Sequence, residues 1–356
     1  MMINKIKGKY NYLSKVFIRD TLPRFCYKSN FLSSLYYFLF DPSFAREHRA
    51  TLTGKVKHIE EARKTKANYF LLVRNTHRIE KGLLMRPKRA VFGKDYLSET
   101  IDSFEGVWNE KEIVHNPQMK WFYDVLSEYF SGDPSDPFIA SHHQRFLAKT
   151  QSQVHKNGFA SDCSTKSVPY YRLDSERSSI NFDEFYKLTK QRRSVRWFTD
   201  KPVARELIDK AILAANQSPS ACNRQPFEFR IFDDPDLVEK VVKFPMGTKG
   251  YGHSIPVMIV LIGNLDAYFD ERDRHVIYID ASLAAMSLML ALETMGLSSC
   301  AINWPDIEAR EKMMEDFLKI NKHQRPIMCL GLGYADQEGM VAFSEKRPLS
   351  QIRRYN

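Results

Sequence analysis

The chain has 356 residues, of which 43% are hydrophobic and 27% charged, with 15 glycines and 16 prolines. That is enough for roughly two domains and excludes global disorder and collagen-like repeats. The net charge of +10 is unevenly spread: residues 1–94 hold 21 Lys and Arg against 6 Asp and Glu, residues 95–180 hold 8 against 13, and residues 181–356 hold 24 against 24. A uniformly basic protein is therefore excluded, and a basic N-terminal arm with an anionic partner is expected. The five cysteines (Cys26, Cys163, Cys222, Cys300 and Cys329) form no CxxC pair and no even framework. Reduced thiols and a cytoplasmic setting, with or without association to a membrane surface, are expected. The aromatic run Phe31–Phe40 is about half of what spans a bilayer. The first 28 residues also lack the apolar core of a signal peptide, so no transmembrane segment is expected.

In chain order, residues 1–40 alternate basic and bulky apolar residues (Lys5, Ile6, Lys7, Tyr10, Tyr12, Leu13, Lys15 and onward to Arg19). Such an arm suits an anionic membrane surface, or packs on the protein's own body with its lysines solvated. A helical pattern follows over Thr51–Arg89, with Gly82 as its expected stop. Leu97, Ile101, Phe104 and Val107 mark an amphipathic helix, and Trp121, Phe122, Val125, Leu126 and Tyr129 mark another, ended by the turn 131–137. Residues 150–180 are polar and Ser-rich, which divides the chain into a mainly helical region, 1–180, and a second domain, 181–356. That domain should contain helices from Phe182 and Pro202, and strands at Phe227–Phe232, Pro256–Ile262, Ser298–Asn303 and Pro326–Leu332. The helix Tyr278–Met295 is apolar nearly all round, which places it at the centre of a core or in an oligomer interface.

Four segments of the second domain carry chemistry. Gln191-Arg-Arg-Ser-Val-Arg-Trp-Phe198 sets three guanidinium forks and a hydroxyl at a helix end, the donors a phosphate requires. Ser218-Pro-Ser-Ala-Cys-Asn-Arg-Gln-Pro226 combines small residues with the amides Asn223 and Gln225, which suit either a tight turn or the polar edge of a flat heterocycle. Gly296-Leu-Ser-Ser-Cys-Ala-Ile-Asn-Trp304 follows the apolar helix, and Phe343-Ser-Glu-Lys-Arg-Pro-Leu349 adds a cationic pair near the C-terminus.

In this order the four segments resemble the nitroreductase family of FMN-dependent oxidoreductases, over about residues 181–356. The resemblance implies an α+β fold, with a central, mostly antiparallel sheet flanked by helices and preceded by the helical N-terminal region. It also implies a homodimer with FMN at the interface. On the matching positions, Arg192, Arg193, Ser194 and Arg196 would bind FMN, and Pro219, Ser220, Ala221 and Asn223 would be supplied by the other subunit. Ala301, Ile302 and Asn303 would lie against the ring, and Lys346 and Arg347 would close on the phosphate. NADH or NADPH would give a hydride to flavin N5, and a small organic acceptor would take the electrons in a second half-reaction; the alternatives are a flavin-dependent oxidase or dehydrogenase of a biosynthetic intermediate, or a non-catalytic membrane- or polyanion-binding protein with a vestigial flavin fold. No side chain is assigned as general acid or base, and Cys222 and Cys300 are expected to pack. One departure stands out: Asn303 and Trp304 occupy a turn where many family members have glycine.

The run from Arg74 to Tyr96 is similar to an extension found on nitroreductase-like proteins linked to polysaccharide biosynthesis. It implies a cap, a membrane tether, or a site for an anionic substrate such as a sugar phosphate or nucleotide sugar, with His77, Arg78, Lys81, Arg86 and Arg89 as the residues to test. No metal site is expected: His142, His143 and His155 lack zinc-ligand spacing, as do Asp270, Glu271, Asp273 and His275. Gly331-Leu-Gly333 lacks the third glycine of a dinucleotide fingerprint, and no nucleic-acid motif accompanies the basic arm.

Overall fold

The computed structural model describes residues 16–87, 89, 91–109, 116–132, 135–150, 166–173 and 177–356. The alternating stretch Lys5–Lys15, residues 133 and 134 of the first turn, His155, Cys163 and most of the polar stretch 150–180 lie outside these residues.

Among the described residues, the longer N-terminal helices are α1 (Asn30–Leu39), α2 (Ala45–Glu60), α3 (Tyr69–Leu83), α4 (Lys94–Val107), α5 (Pro117–Phe130) and α6 (Pro137–Thr150). The single helical pattern read over 51–89 is thus two helices, separated at Lys66, whose φ of 51° is left-handed. Asn68 then starts α3 by accepting the Leu71 N–H on its side chain at 2.8 Å. Gly82 does not stop that helix, which runs on to Leu83. It is glycine because the Phe92 ring lies where a Cβ would stand, at 2.1 Å from Cε2. Helices α3–α6 bury one shared apolar core that includes Leu72, Ile79, Leu97, Phe104, Phe122 and Phe146.

The remaining chain forms α7 (Phe182–Gln191), α8 (Arg205–Ala215), β1 (Phe227–Phe232), α9 (Pro235–Val241), β2 (Val257–Asn264), α10 (Val276–Thr294), β3 (Ser298–Asn303), α11 (Glu308–Leu318) and β4 (Gln324–Gly333). The strands make one sheet in the order β1-β2-β4-β3, antiparallel at every pairing. This is the expected α+β architecture, with a helical region before it. Strand β2 shows why its continuous apolar run was required. Val257, Ile259 and Leu261 enter the core under α8 and α10, whereas Met258, Val260 and Ile262 enter a second core with Val238, Val241 and Met314.

Helix α10 departs from the expectation of burial on every side. Its inner face, including Ala281, Ala284, Leu288 and Leu292, lies in the core, while Ile279 (50% exposed), Leu283 and Met286 form an outward apolar stripe. It is the one described helix long and apolar enough to cross a membrane by length and composition. In this fold its inner face packs against the sheet and α8.

Helix α2 belongs to the second domain's packing even though it precedes helices α3–α6. Ala50 joins the core of α8, β2 and α10. A Cβ at Gly54 would stand 2.7 Å from the Leu265 backbone carbon, so α2 can lie on the Leu265–Ala267 turn only through this glycine. Lys57 donates to Asp266 Oδ2 at 2.5 Å, and His58 Nδ1 meets the Asp266 carbonyl at 2.8 Å. Arg46 reaches Glu308 and Glu315 of α11.

Candidate functional site

The Arg192–Phe198 segment leaves α7 and runs alongside β3. Ser194 bridges Ser299, the Val195 N–H donates to the Ser299 carbonyl at 3.1 Å, and Phe198 bridges Ala335. Along the segment Val195 and Phe198 are buried, Arg196 and Trp197 are exposed, and Arg192, Arg193 and Ser194 are half-buried. Arg192 Nε is buried without a hydrogen-bond partner. Among the described residues, none of Arg192, Arg193 and Arg196 has a carboxylate within ion-pair distance. Arg192 and Arg196 both act on Cys300 of β3, and Arg192 also acts on the buried Glu293 carboxyl; on β3, Ala301 and Asn303 face outward and Ile302 is buried. Lys346 and Arg347 lie on exposed coil after β4.

Two buried groups beneath the cluster register its field. Burial pushes the Cys300 thiol above its ordinary value against the opposing pull of Tyr251, Arg196 and Arg192. Burial raises Tyr251, whose hydroxyl is 3.9 Å from Cys300 Sγ, to about 12. Neither is poised to act as a nucleophile or base near neutral pH. Trp304 explains the departure at its turn. Its ring is buried and its Nε1 donates to Glu311 Oε1 at 2.6 Å, so the indole anchors the end of β3 to α11.

The second motif forms a strained loop between α8 and β1. Cys222, Asn223 and Gln225 all have φ between 50° and 55°, a region that costs a side-chain-bearing residue about 1 kcal/mol or more. Two of the hydrogen bonds that hold the loop run from its backbone N–H groups to side-chain oxygens. Asp280 Oδ2 accepts the Ala221 N–H at 3.0 Å, and Ser220 Oγ accepts the Gln225 N–H at 3.0 Å. Burial lifts the Asp280 carboxyl above its usual range, although the Ala221 N–H and the Tyr268 hydroxyl favour its ionised form.

The two motif groups do not meet within one chain. The loop Pro219–Asn223 is tied to Asp280, near the start of α10, whereas Gln191 hydrogen-bonds Glu293 near its end. At about 1.5 Å rise per residue, these attachment points are roughly 20 Å apart along the helix. Leu283 and Met286 of the exposed stripe lie between them, and Ser218 reaches the same helix at Ser287, Oγ to Oγ at 2.8 Å.

Two cavities lie away from the Arg192–Arg196 cluster. One, of about 1050 Å³, is lined by Val238, Val242, Met246, Ile255 and Pro256 with Arg310, and includes no residue of the predicted set. The other, of about 590 Å³, lies between α2, α3 and the strained loop, and takes in Ala221 and Cys222 together with Arg74, Arg78, Lys81 and Arg224. Of the five N-terminal residues singled out in the sequence, it gathers Arg78 and Lys81. His77 instead faces Glu80, and Arg86 lies over the Tyr171 ring. No group of His, Cys, Asp and Glu suited to a metal occurs among the described residues.

The family model of the nitroreductases matches residues 189–249 and 247–334. Human iodotyrosine deiodinase 1 is 27% identical over 197 residues, covering 48% of this chain and 67% of its own length. A putative NADH dehydrogenase/NAD(P)H nitroreductase of Archaeoglobus fulgidus is 28% identical over 157 residues, covering 44% of this chain and 88% of its own. Among solved structures, an FMN-dependent nitroreductase from Clostridium difficile matches with 25% identity and a TM-score of 0.41, over 48% of this chain and 98% of that one. Residues 189–334, which carry the open antiparallel sheet, are the part of the chain that matches the nitroreductase family model. The helical region before it lies outside the matched residues.

Proposed function

We propose that the protein is an FMN-dependent oxidoreductase that takes a hydride from NADH or NADPH and passes the electrons to an organic acceptor in a separate half-reaction. The observation that carries this reading is the placement beside β3 of the segment bearing Arg192, Arg193 and Arg196, none of them in an ion pair among the described residues. These residues fit FMN: guanidinium forks match a phosphate bidentately, Arg192 Nε is a buried donor without an acceptor, and Ser194 adds a hydroxyl. Bound flavin supplies the hydride-accepting N5. The chain's own part is to hold the phosphate, to place Arg196 at the ring edge where negative charge develops, and to cover the ring with the Ala301–Asn303 rim. Lys346 and Arg347, on their exposed coil, supply further positive charge once the tail folds over.

The site is completed by a second copy of the chain. The roughly 20 Å between the two motif groups, with an exposed apolar stripe between them, is explained if α10 packs on its twofold mate. The strained Pro219–Asn223 loop of one protomer then meets the arginine cluster of the other. The N-terminal α1 leaves Phe31, Phe38 (82% exposed) and Leu39 outward, close in sequence to Lys28 and Arg24. This favours a membrane-surface contact for the arm within a cytoplasmic protein.

An absorbance spectrum of the purified protein, with and without added FMN and then NADH or NADPH, tests the central reading. A flavin spectrum that bleaches on adding nicotinamide is expected. Protein that stays colourless after FMN addition would sink it, and bound flavin indifferent to both nicotinamides would favour an oxidase or dehydrogenase of another substrate.

A further inference from the structure

The 590 Å³ cavity between the N-terminal helices and the strained loop holds more positive charge than its surroundings balance. Its cationic lining is Arg63, Arg74, Arg78, Lys81, Arg224 and Arg272. Some of this charge is matched. Arg272 lies 3.4 Å from Asp270 and 3.7 Å from Asp273, while Arg78 reaches Asp95 at 3.3 Å and stacks on the Tyr96 ring. What remains is Arg63, Arg74, Lys81 and Arg224 against Glu99, and Glu99 is itself engaged by the Asn75 amide at 2.9 Å.

The two inner arginines carry the argument. Arg224 is only 9% exposed, its Nε is buried with no partner, and its Nη1 makes a long bond (3.3 Å) to the Ala221 carbonyl. It also lies over the face of Tyr268, at 4.7 Å, and within electrostatic reach of the Asp280 carboxylate, with which it makes no ion pair. Arg74 is half-buried and makes no hydrogen bond or ion pair among the described residues. Burial, and then the neighbouring Arg78 and Arg224, push its guanidinium below the ordinary value. Like charges held together in a partly dry cavity are destabilising unless an anion joins them.

We propose that this cavity is a binding site for a small molecule bearing clustered phosphate groups, with Arg74 and Arg224 as its inner contacts and Arg63 and Lys81 at its mouth. Phosphate is favoured over a single carboxylate because four cations outnumber the nearby carboxylates Glu99 and Asp280, and two of them are planar forks at the inner end, which together call for several acceptor oxygens. A soluble ligand is favoured over a lipid surface because the inner arginines lie recessed between α3 and the strained loop, and the volume is that of an organic phosphate. The cavity shares Ala221 with the loop proposed to meet flavin on a second copy, but Arg63, Arg74, Lys81 and Arg224 are not among the proposed flavin contacts.

Calorimetric titration of the full chain with inorganic pyrophosphate, at matched ionic strength, tests the proposal. Arg74→Gln should weaken pyrophosphate binding about tenfold or more, the loss of one charge-assisted contact. In the absence of ligand the same variant should melt at a higher temperature than the parent, because it relieves crowding among the guanidinium groups. A merely structural arginine would lower the melting temperature. Lys81→Gln, at the exposed mouth, serves as a second variant that leaves the fold intact and should weaken binding less. Absence of pyrophosphate binding, or equal binding by parent and Arg74→Gln, would overturn the site. Citrate binding as tight as pyrophosphate would overturn the phosphate assignment. Arg74-dependent flotation with anionic vesicles, without pyrophosphate binding, would overturn the soluble ligand.

Discussion

Replacing Glu311 by alanine should destabilise the domain by about 3–5 kcal/mol, the cost of leaving a buried charge without its partner. Glu311 is fully buried and accepts Trp304 Nε1 at 2.6 Å and Arg325 Nε at 3.2 Å, with Arg46 of α2 at 3.9 Å. Arg325 is 2% exposed and already has one unpartnered nitrogen, Nη1. Without Glu311 it keeps only Asp306, a half-exposed partner at 2.9 Å. The loss of an acceptor for Trp304 adds to this, though not independently, since both donors share one carboxylate. Glu311→Gln retains an acceptor for the indole and should cost less, roughly 1–3 kcal/mol. The assay is urea unfolding followed by tryptophan fluorescence at neutral pH, comparing midpoints at unchanged slope. A loss below about 1 kcal/mol for Glu311→Ala would refute the reasoning, because it would mean water screens the cluster.

Arg192→Ala combined with Ser194→Ala should leave the protein folded but unable to retain FMN, read from the flavin absorbance after gel filtration; full retention would contradict the proposed cradle. Leu283→Glu places a charge in the exposed stripe of α10 and should give a monomer by light scattering, with flavin lost alongside. A monomeric parent protein would contradict the shared site. Acid should destabilise the docking of α2, since burial lowers the pKa of both His58 and His323 below the ordinary 6.5. A depressed folded-state value means their contribution is intact above about pH 6.5 and is lost as the pH falls below it, when the unfolded chain takes the protons first. The melting temperature should therefore drop between pH 7.5 and 5.5, and His58→Gln should flatten that drop; a profile unchanged by the substitution would count against it. Flotation with anionic vesicles should weaken in Phe38→Ser and at high salt, as expected where aromatic insertion and charge act together.

Much of the second domain was legible because its information is local. The run PVMIVLI has no polar face, so only a strand covered on both sides could use it, and β2 is that strand. The segments Gln191–Phe198 and Ser218–Pro226 declare their chemistry in consecutive residues, and the structure places the first beside β3 and the second in a strained turn. Helix α2 was harder to read. Its lysines and glutamates resemble a solvated face, and its contact with the second domain runs through the stripe Ala50, Gly54 and His58, whose spacing of four carries little apolar signal. Helix α10 was legible as an apolar helix, but which side meets the core depends on the sheet and α8.

The amino-acid order by itself determined the α+β character of residues 181–356, the oxidoreductase family they resemble and the surplus of positive charge in the first 94 residues. Each of these depends on neighbours in sequence, whose spacing, polarity and charge can be counted along the chain. Only the tertiary structure decided that the two motif groups lie on different parts of α10, and that Trp304 anchors a turn through Glu311. It also brought Arg74 and Arg224 together in one cavity. Those relations join residues many positions apart, and they arise when burying apolar surface forces polar groups into shared space, where each charge must find a partner or wait for one.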